Sequence, residues 1–192
     1  MSELGLILVG ALLVNNFVLA QFLGLCPFFG ITNNYKTAYA TGLATTFVLA
    51  FSSVLAHLVY HHILIPLDLE FLKIIVFIVI IAGLVQLTDF VIKTSSPLLH
   101  QILGIYLPLI TSNCAVLGVA LLATNQNYSL LETLTFSVGA ALGFTLVMTL
   151  FGALREEISQ DHVPFSFRGT PITFLSAGIM SLAFVGFQGI NS

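Results

Sequence analysis

The sequence has very few charged side chains. Asp, Glu, Lys and Arg make up 7% of its 192 residues, against 58% hydrophobic residues, whereas soluble domains are about a quarter charged. Five basic residues and a formal net charge of −3 leave no basic surface of the kind that holds nucleic acid, so that partner is excluded. A mean hydropathy of +1.08 indicates instead an integral membrane protein in contact with the lipid bilayer.

Cysteine is also scarce. Cys26 and Cys114 are the only two, and their wide separation fits neither a disulfide framework nor a local zinc motif. The sequence has no Walker loop, G-x-G-x-x-G or Ser-His-Asp arrangement, which argues against a self-contained active site of the soluble type. The first apolar segment, "MSELGLILVG", lacks a basic start and a cleavage site, so we read it as a retained span and not as a signal peptide.

Long apolar stretches are abundant. A membrane-spanning helix needs about 20 mostly apolar residues, and six stretches qualify, at 5–27, 38–60, 71–92, 99–123, 130–154 and 170–190. They nearly exhaust the chain, so we predict an all-α integral membrane protein with six transmembrane helices in a single membrane domain, 1–192. Lys36, Lys93, Arg155 and Arg168 fall in odd-numbered loops, against Lys73 alone on the other side. The positive-inside rule then places both termini outside.

The two halves of the chain resemble each other weakly. Cys26 with Gly30 matches Cys114 with Gly118 as C-x-x-x-G, and "IAGLVQL" at 81–87 matches "SAGIMSL" at 176–182. Halves at about 1–95 and 96–192 would each hold three spans, so the second would be inverted relative to the first. Short matches between apolar sequences also arise by chance, and that alternative stays open.

Proline marks a break in each half. Cys26 precedes Pro27, which disfavours helical geometry at Cys26, and Pro108 stands just before the polar run "TSNC" at 111–114. Interrupted spans at matching positions are the best pointer to a site at the membrane midplane. We therefore predict that the first and fourth helices are broken near the cysteines. The alternative is a pair of proline-kinked helices with incidental small or polar residues.

The cysteines themselves allow several interpretations. A buried cysteine is usually a small hydrophobic residue, but thiolates also bind copper, zinc or iron–sulfur clusters. An all-cysteine iron–sulfur site needs four ligands, so a cluster would have to be shared with a second chain; a disulfide is the other alternative. In straight helices Cys26 would lie near the inner face of the membrane and Cys114 toward the outer, so a common site requires broken helices.

Other polar residues within the spans have more ordinary interpretations. Asn15 and Asn16 point in different directions on a helix, and one of them is expected to satisfy backbone groups freed by a break; lining an ion path is the alternative. The spacing of His57 and His61 suits a metal, but their position favours polar anchoring. Small residues are expected to let helices pack closely, in "TGLATTF" at 41–47 and "SVGAALGF" at 137–144. The charge-rich loop at 155–169 reads as a solvated or docking face.

Several long motifs resemble one family of membrane proteins. The motifs are "LVNNFVLAQFLGLCPFFGI" at 13–31, "GLATTFV" at 42–48, "LGIYLPLITSNCAVLGVALL" at 103–122, and "SFRG" at 166–169 followed by "AGIMSLAFVGFQG". They are similar to a family of related membrane subunits found in two complexes. One is the Rnf complex, an ion-translocating ferredoxin:NAD oxidoreductase, and the other is the sodium-pumping NADH:quinone oxidoreductase. "VNNFVL" favours the A-type chains of the Rnf complex.

The resemblance implies two inverted three-helix halves, paired about a pseudo-twofold axis with the related E subunit. It implies that Cys26 and Cys114, with two cysteines of that partner, bind the iron of a [2Fe-2S] cluster within the bacterial inner membrane. Flavins would lie on neighbouring subunits only, and subunits B, C, D and G would complete the complex.

The predicted function is therefore that of an electron-transfer component of a redox-driven translocase of Na⁺ or H⁺, without catalytic activity on its own. A secondary transporter of a small solute is the main alternative, because inverted halves and broken helices occur there too. A carrier of that kind typically has ionisable groups at its midplane, where this sequence offers Cys and Asn. A purely structural scaffold for redox partners is the third interpretation.

Overall fold

The computed structural model describes residues 2–14, 16–32, 35–95, 110–158, 164 and 167–188. Every regular element in these ranges is helical, which confirms the predicted all-α class for them. Asn15, Pro108, the middle of the charge-rich loop and the first part of the predicted fourth span lie outside the described residues. The α-helices are α1 (Ser2–Val9), α2 (Phe17–Ala20), α3 (Leu25–Ile31), α4 (Tyr35–Val59), α5 (Lys73–Ser95), α6 (Cys114–Asn125), α7 (Leu130–Glu157) and α8 (Thr170–Gln188).

Three helical stretches are long and apolar enough to cross a membrane. They are Tyr35–Leu64, in which a π-helical turn extends α4, Glu70–Thr94, and Leu130–Glu157. Two shorter apolar helices occupy Cys114–Asn125 and Thr170–Gly186. Large apolar side chains are exposed along α5, among them Ile75, Val79 and Leu87. An exposed apolar helix face suits contact with lipid, so the described residues have the features of a multi-pass membrane protein.

Helices α4 and α7 pack closely against each other along most of their length. They run antiparallel, because Thr46 Oγ1 lies 2.9 Å from Thr145 Oγ1 while the later His57 contacts the earlier Thr133. A β-carbon added to Gly42 would come within 2.8 Å of Thr145 Cγ2, so glycine is needed there for the close approach. The predicted role of the small residues in helix packing is confirmed at this position.

Helix α1 lies along the other side of α7. A β-carbon at Gly139 would meet the carbonyl oxygen of Leu8 at 2.9 Å, and one at Gly143 would meet that of Leu12 at 2.8 Å. The later residue of one segment contacts the later residue of the other, so the N-terminal segment and α7 run parallel. The glycines of α7 form a seat for carbonyl groups of α1 and of the π-helical turn, Gly10–Val14, that follows it.

The N-terminal apolar segment is divided into three pieces. A π-helical turn, Gly10–Val14, follows α1; the chain then continues as α2 and α3, with a non-helical turn at 21–24 between them. Phe22 and Gly24 in this turn have φ values of 55° and 84°, which helices exclude. Residues 5–27 are thus not one continuous helix.

Pro27 does not end a helix, and the sequence-based interpretation of it as a breaker is wrong. Pro27 lies in the first turn of α3, and Cys26 is helical as well. The first N–H groups of a helix have no partner within it, so proline is tolerated at this end. The break is instead made upstream, where Gly24 adopts a left-handed conformation.

Candidate functional site

Cys114 is the first residue of α6. The helix is capped by Asn113, whose φ and ψ of −71° and 112° are extended and whose Oδ1 accepts a hydrogen bond from the Ala115 N–H at 3.0 Å. Such a cap explains why α6 begins at this point, because the amide oxygen satisfies one of the free N–H groups of the first turn. The Cys114 side chain is half-buried and its thiol is free.

Cys26 lies in the first turn of α3, and its free thiol is exposed. The neighbouring side chains of α3 hold the helix in place: Phe28 is fully buried and stacks on Phe151 of α7, with ring centroids 4.1 Å apart. Phe29 packs on Phe174 of α8 at 4.2 Å. Helix α3 is therefore fixed on one side and presents its cysteine on the other.

The turn before α3 contacts the start of α6. The backbone N–H of Gly24 donates to Sγ of Cys114, with the nitrogen and sulfur 2.9 Å apart. Two residues span at most about 7 Å, so the backbone of Cys26 lies within that distance of Gly24. The structure thus brings together the two chain segments that carry the predicted site residues, Cys26 and Cys114.

Two glycines permit this contact. A β-carbon at Gly24 would lie 2.9 Å from Phe144 Cε2, 3.2 Å from Ala115 Cβ and 3.3 Å from Asn113 Oδ1. One at Gly118, a helical turn beyond Cys114, would lie 2.9 Å from Leu23 Cδ2. The glycine of the second C-x-x-x-G match therefore makes room for the turn that precedes Cys26.

The freed backbone of the first break is held by polar side chains. Oδ1 of Asn16 accepts from the Val18 N–H at 3.1 Å and caps α2, while its Nδ2 donates to the Gly143 carbonyl at 3.1 Å. Ser181 of α8 donates to the carbonyl of Leu19 at 2.8 Å. The prediction that one of the paired asparagines satisfies backbone groups at a break is confirmed for Asn16.

Both ends of the turn after α3 are capped by charged residues of α7. Arg155 donates to the Phe29 carbonyl at 3.1 Å and to Thr32 Oγ1 at 3.0 Å. Glu156 accepts from the Tyr35 N–H at 2.7 Å. A cation at the end of α3 and an anion at the start of α4 each complement the helix dipole. These two residues, read from the sequence as part of a solvated loop, hold the end of α3, which carries Cys26, and the start of α4.

The site offers two thiols at helix starts and no complete ligand set. Within the described ranges, no three His, Cys, Asp or Glu side chains lie close enough to hold a metal ion. Cys114 is the first residue of α6 and lies at the positive end of that helix's dipole. An exposed thiol beside irregular backbone needs a protein cover in a membrane. Two cysteines are half of the four-cysteine set that an iron–sulfur cluster takes.

Sequence reasoning missed Gly24 and Asn113. Asn113 had a local signal, since asparagine before an apolar helical run is a typical N-cap. Gly24 had none, because its contact with Cys114 joins residues 90 positions apart. Nothing in the sequence around Gly24, two residues before Cys26, indicates that its N–H contacts the sulfur of Cys114.

These features define a multi-pass helical membrane protein whose two cysteines each lie in the first turn of a helix. Residues 4–191 match the Rnf-Nqr family, described as "Rnf-Nqr subunit, membrane protein". The chain belongs to this family, which confirms the resemblance seen in its motifs.

Several relatives, each named as the A-type subunit of an "Ion-translocating oxidoreductase complex", are similar over almost the full chain. The protein of Hahella chejuensis is 56% identical over 190 residues, which are 99% of this chain and 98% of the relative. That of Alcanivorax borkumensis is 56% identical over 191 residues, with the same coverage. That of Vibrio vulnificus is 54% identical over 190 residues, 99% of each chain.

Proposed function

We propose that this chain is the A-type electron-transfer component of an ion-translocating oxidoreductase complex of the Rnf type. In this proposal Cys26 and Cys114 are two of the four ligands of an intramembrane [2Fe-2S] cluster, and the related E subunit supplies the other two. Subunits B, C, D and G complete the complex. The observation that carries the proposal is the contact of the Gly24 turn with Cys114, which joins the two cysteine-bearing segments.

The donor set fits this group. The chain has two cysteines in all, both unpaired and both in the first turn of a helix, and thiolates are the usual ligands of iron–sulfur clusters. The names of the relatives, which belong to an oxidoreductase complex, agree with a redox role. When bound, the cluster supplies one-electron transfer across the interior of the membrane.

The residues of this chain would hold and insulate the centre. Asn113 and Gly24 fix the position of the Cys114 sulfur, and Arg155 with the packed rings of Phe28 and Phe151 fixes α3 and thereby Cys26. The E subunit would cover the exposed thiol and the irregular backbone beside it, as a low-dielectric membrane requires.

We further propose that electron transfer is coupled to movement of Na⁺ or H⁺ by the complex. Coupling requires that the redox state of the centre stabilise inward-open and outward-open arrangements differently, because an equilibrium shifts only by a differential interaction. Cross-linking this chain to the E subunit across their interface should then stop ion transport by reconstituted vesicles. Undiminished transport by the cross-linked complex would contradict the coupling step.

The cluster is tested by replacing its ligands. In the purified complex, Cys26→Ser or Cys114→Ser should each lower the iron content and abolish one EPR signal of the reduced protein, because serine replaces a soft thiolate ligand. Electron transfer through the complex should fall to background in both variants.

Thr135→Ser is a matched control, because it is an equally small change in α7, where the hydroxyl donates to the backbone of its own helix at 2.9 Å. It should retain iron, signal and activity. If the EPR spectrum and iron content of both cysteine variants equal those of the unaltered complex, the proposed cluster is excluded.

A further inference from the structure

The hydrogen bond between Gly24 and Cys114 is more than a packing contact. The donor is a peptide N–H at a helix break and the acceptor is a sulfur that the proposed function makes a metal ligand, 2.9 Å away. Hydrogen bonds to ligand sulfurs are among the factors that set the reduction potential of iron–sulfur centres. The contact therefore bears on how readily this site takes an electron.

The structure holds this N–H in place from several sides. Gly24 has φ 84°, and its Cα faces Phe144, Ala115 and Asn113 so closely that no side chain fits without movement. The preceding residue, Leu23, donates its own N–H to the Phe17 carbonyl at 2.9 Å and rests its side chain on Gly118. Because the Gly24 N–H is already held in place, it loses little conformational freedom when the Cys114 sulfur gains negative charge. The hydrogen bond therefore keeps its effect on the sulfur.

We propose that Gly24 is a positioning residue that sets the reduction potential of the centre held by Cys114. Its N–H withdraws electron density from the Cys114 sulfur and stabilises the reduced, more negative state, so it raises the potential. This inference rests on the proposed function. One electron is accepted from a reduced flavin of a neighbouring subunit and passed to an oxidised carrier; no bond forms or breaks in this chain, and the proton stays on Gly24.

The first test is a redox titration of the purified complex followed by EPR. In Gly24→Ala the new β-carbon meets Phe144 and Ala115, so the turn must move away and the N–H···S distance must lengthen. The midpoint potential should become more negative, with about a tenfold change in the equilibrium constant, which is about 59 mV for one electron.

Gly169→Ala is the matched control. Gly169 has φ 83°, nearly the same as Gly24, but nothing lies within 4 Å of a β-carbon built on it. It carries the same backbone strain without the crowding, and its midpoint potential should equal that of the unaltered complex. Leu23→Ala, which loosens the turn and leaves Gly24 in place, should shift the potential in the same direction by less.

A second measurement detects the contact directly, and its first result needs only the unaltered complex. With ¹⁵N-labelled glycine, pulsed EPR of the reduced complex should show a coupled glycine peptide nitrogen, which is lost in Gly24→Ala and kept in Gly169→Ala. The absence of any glycine coupling in the unaltered complex, or an unchanged potential in Gly24→Ala with its signal intact, would overturn the inference.

The proposed function and the role of Gly24 fail in different ways. A spectrum that persists in Cys114→Ser removes the proposed function together with the role of Gly24. A spectrum that depends on Cys114 but is insensitive to Gly24 removes the role of Gly24 alone.

Discussion

Asn16 and Asn113 cap the starts of α2 and α6 with the same local geometry, but the two helix starts serve different purposes. Both asparagines are extended, with φ and ψ of −64° and 112° at Asn16 and −71° and 112° at Asn113. In each, the side-chain oxygen accepts from the N–H two residues later. The next residue differs: it is Phe17, buried in the core, in the first case and Cys114 in the second.

The amide nitrogens differ as well. Nδ2 of Asn16 donates to the carbonyl of Gly143, whereas Nδ2 of Asn113 is buried without a hydrogen-bond partner among the described residues. One cap is hydrogen-bonded into the core of the protein, whereas the other, among the residues that the structure describes, bonds only to its own helix. Equal backbone geometry therefore does not imply equal chemistry: by their caps, Cys114 corresponds to Phe17 and not to Cys26.

The largest expected effect is on stability, and it compares what packs against the glycine near each helix start. In Gly143→Ala the β-carbon would stand 2.8 Å from the backbone oxygen of Leu12, while in Gly118→Ala it would meet only the end of the Leu23 side chain. Overpacking against backbone costs about 1–3 kcal/mol, whereas a side-chain end can move. Thermal unfolding in detergent should show a clear loss of stability in Gly143→Ala and a smaller one in Gly118→Ala. The reverse order would contradict this difference between the two helix starts.

An intermediate effect is expected from the caps themselves. Serine keeps a capping oxygen and removes the amide nitrogen, so Asn16→Ser loses the additional hydrogen bond to the Gly143 carbonyl, at a cost of about 0.5–1.5 kcal/mol. Asn113→Ser removes a nitrogen that has no partner among the described residues and should be nearly neutral. Denaturant unfolding of the two variants measures the difference. Equal losses of stability would show that the caps are energetically alike.

The smallest effect is expected at the far end of α3. Arg155→Gln removes a charged donor to the Phe29 carbonyl and should cost about 1 kcal/mol in this half-exposed position. Glu156→Gln retains an oxygen to accept the Tyr35 N–H and loses only its charge at the start of α4, for a few tenths of a kcal/mol. Thermal unfolding should therefore rank Arg155→Gln below Glu156→Gln in stability, and no difference would show that neither charge contributes.

The sequence predicted those features that follow from local pattern. Apolar length predicted the helical membrane class, the small residue Gly42 predicted close packing, and Asn16 was expected to serve a break. The number of cysteines led to the idea of a shared site before any geometry was known. Each of these inferences needs only the residue and its immediate neighbours.

What the sequence did not provide depends on contacts between distant segments. The Gly24 contact joins residues 90 positions apart, and the Arg155 contact with Phe29 joins residues 126 apart. Pro27 was misread because proline at the start of a helix and proline at its end look alike without a known register. The C-x-x-x-G match likewise paired Cys26 with Cys114 by spacing, although the two helices begin differently.

The glycine seat on α7 has a mechanical consequence. Gly139 and Gly143 are one turn apart and receive the carbonyls of Leu8 and Leu12, which are spaced in the same way. A slide of α1 along α7 would press a carbonyl against the side chains between the glycines until a shift of four residues, about 6 Å, restored the fit. The spacing of the two glycines therefore favours axial positions of α1 that differ by a whole helical turn.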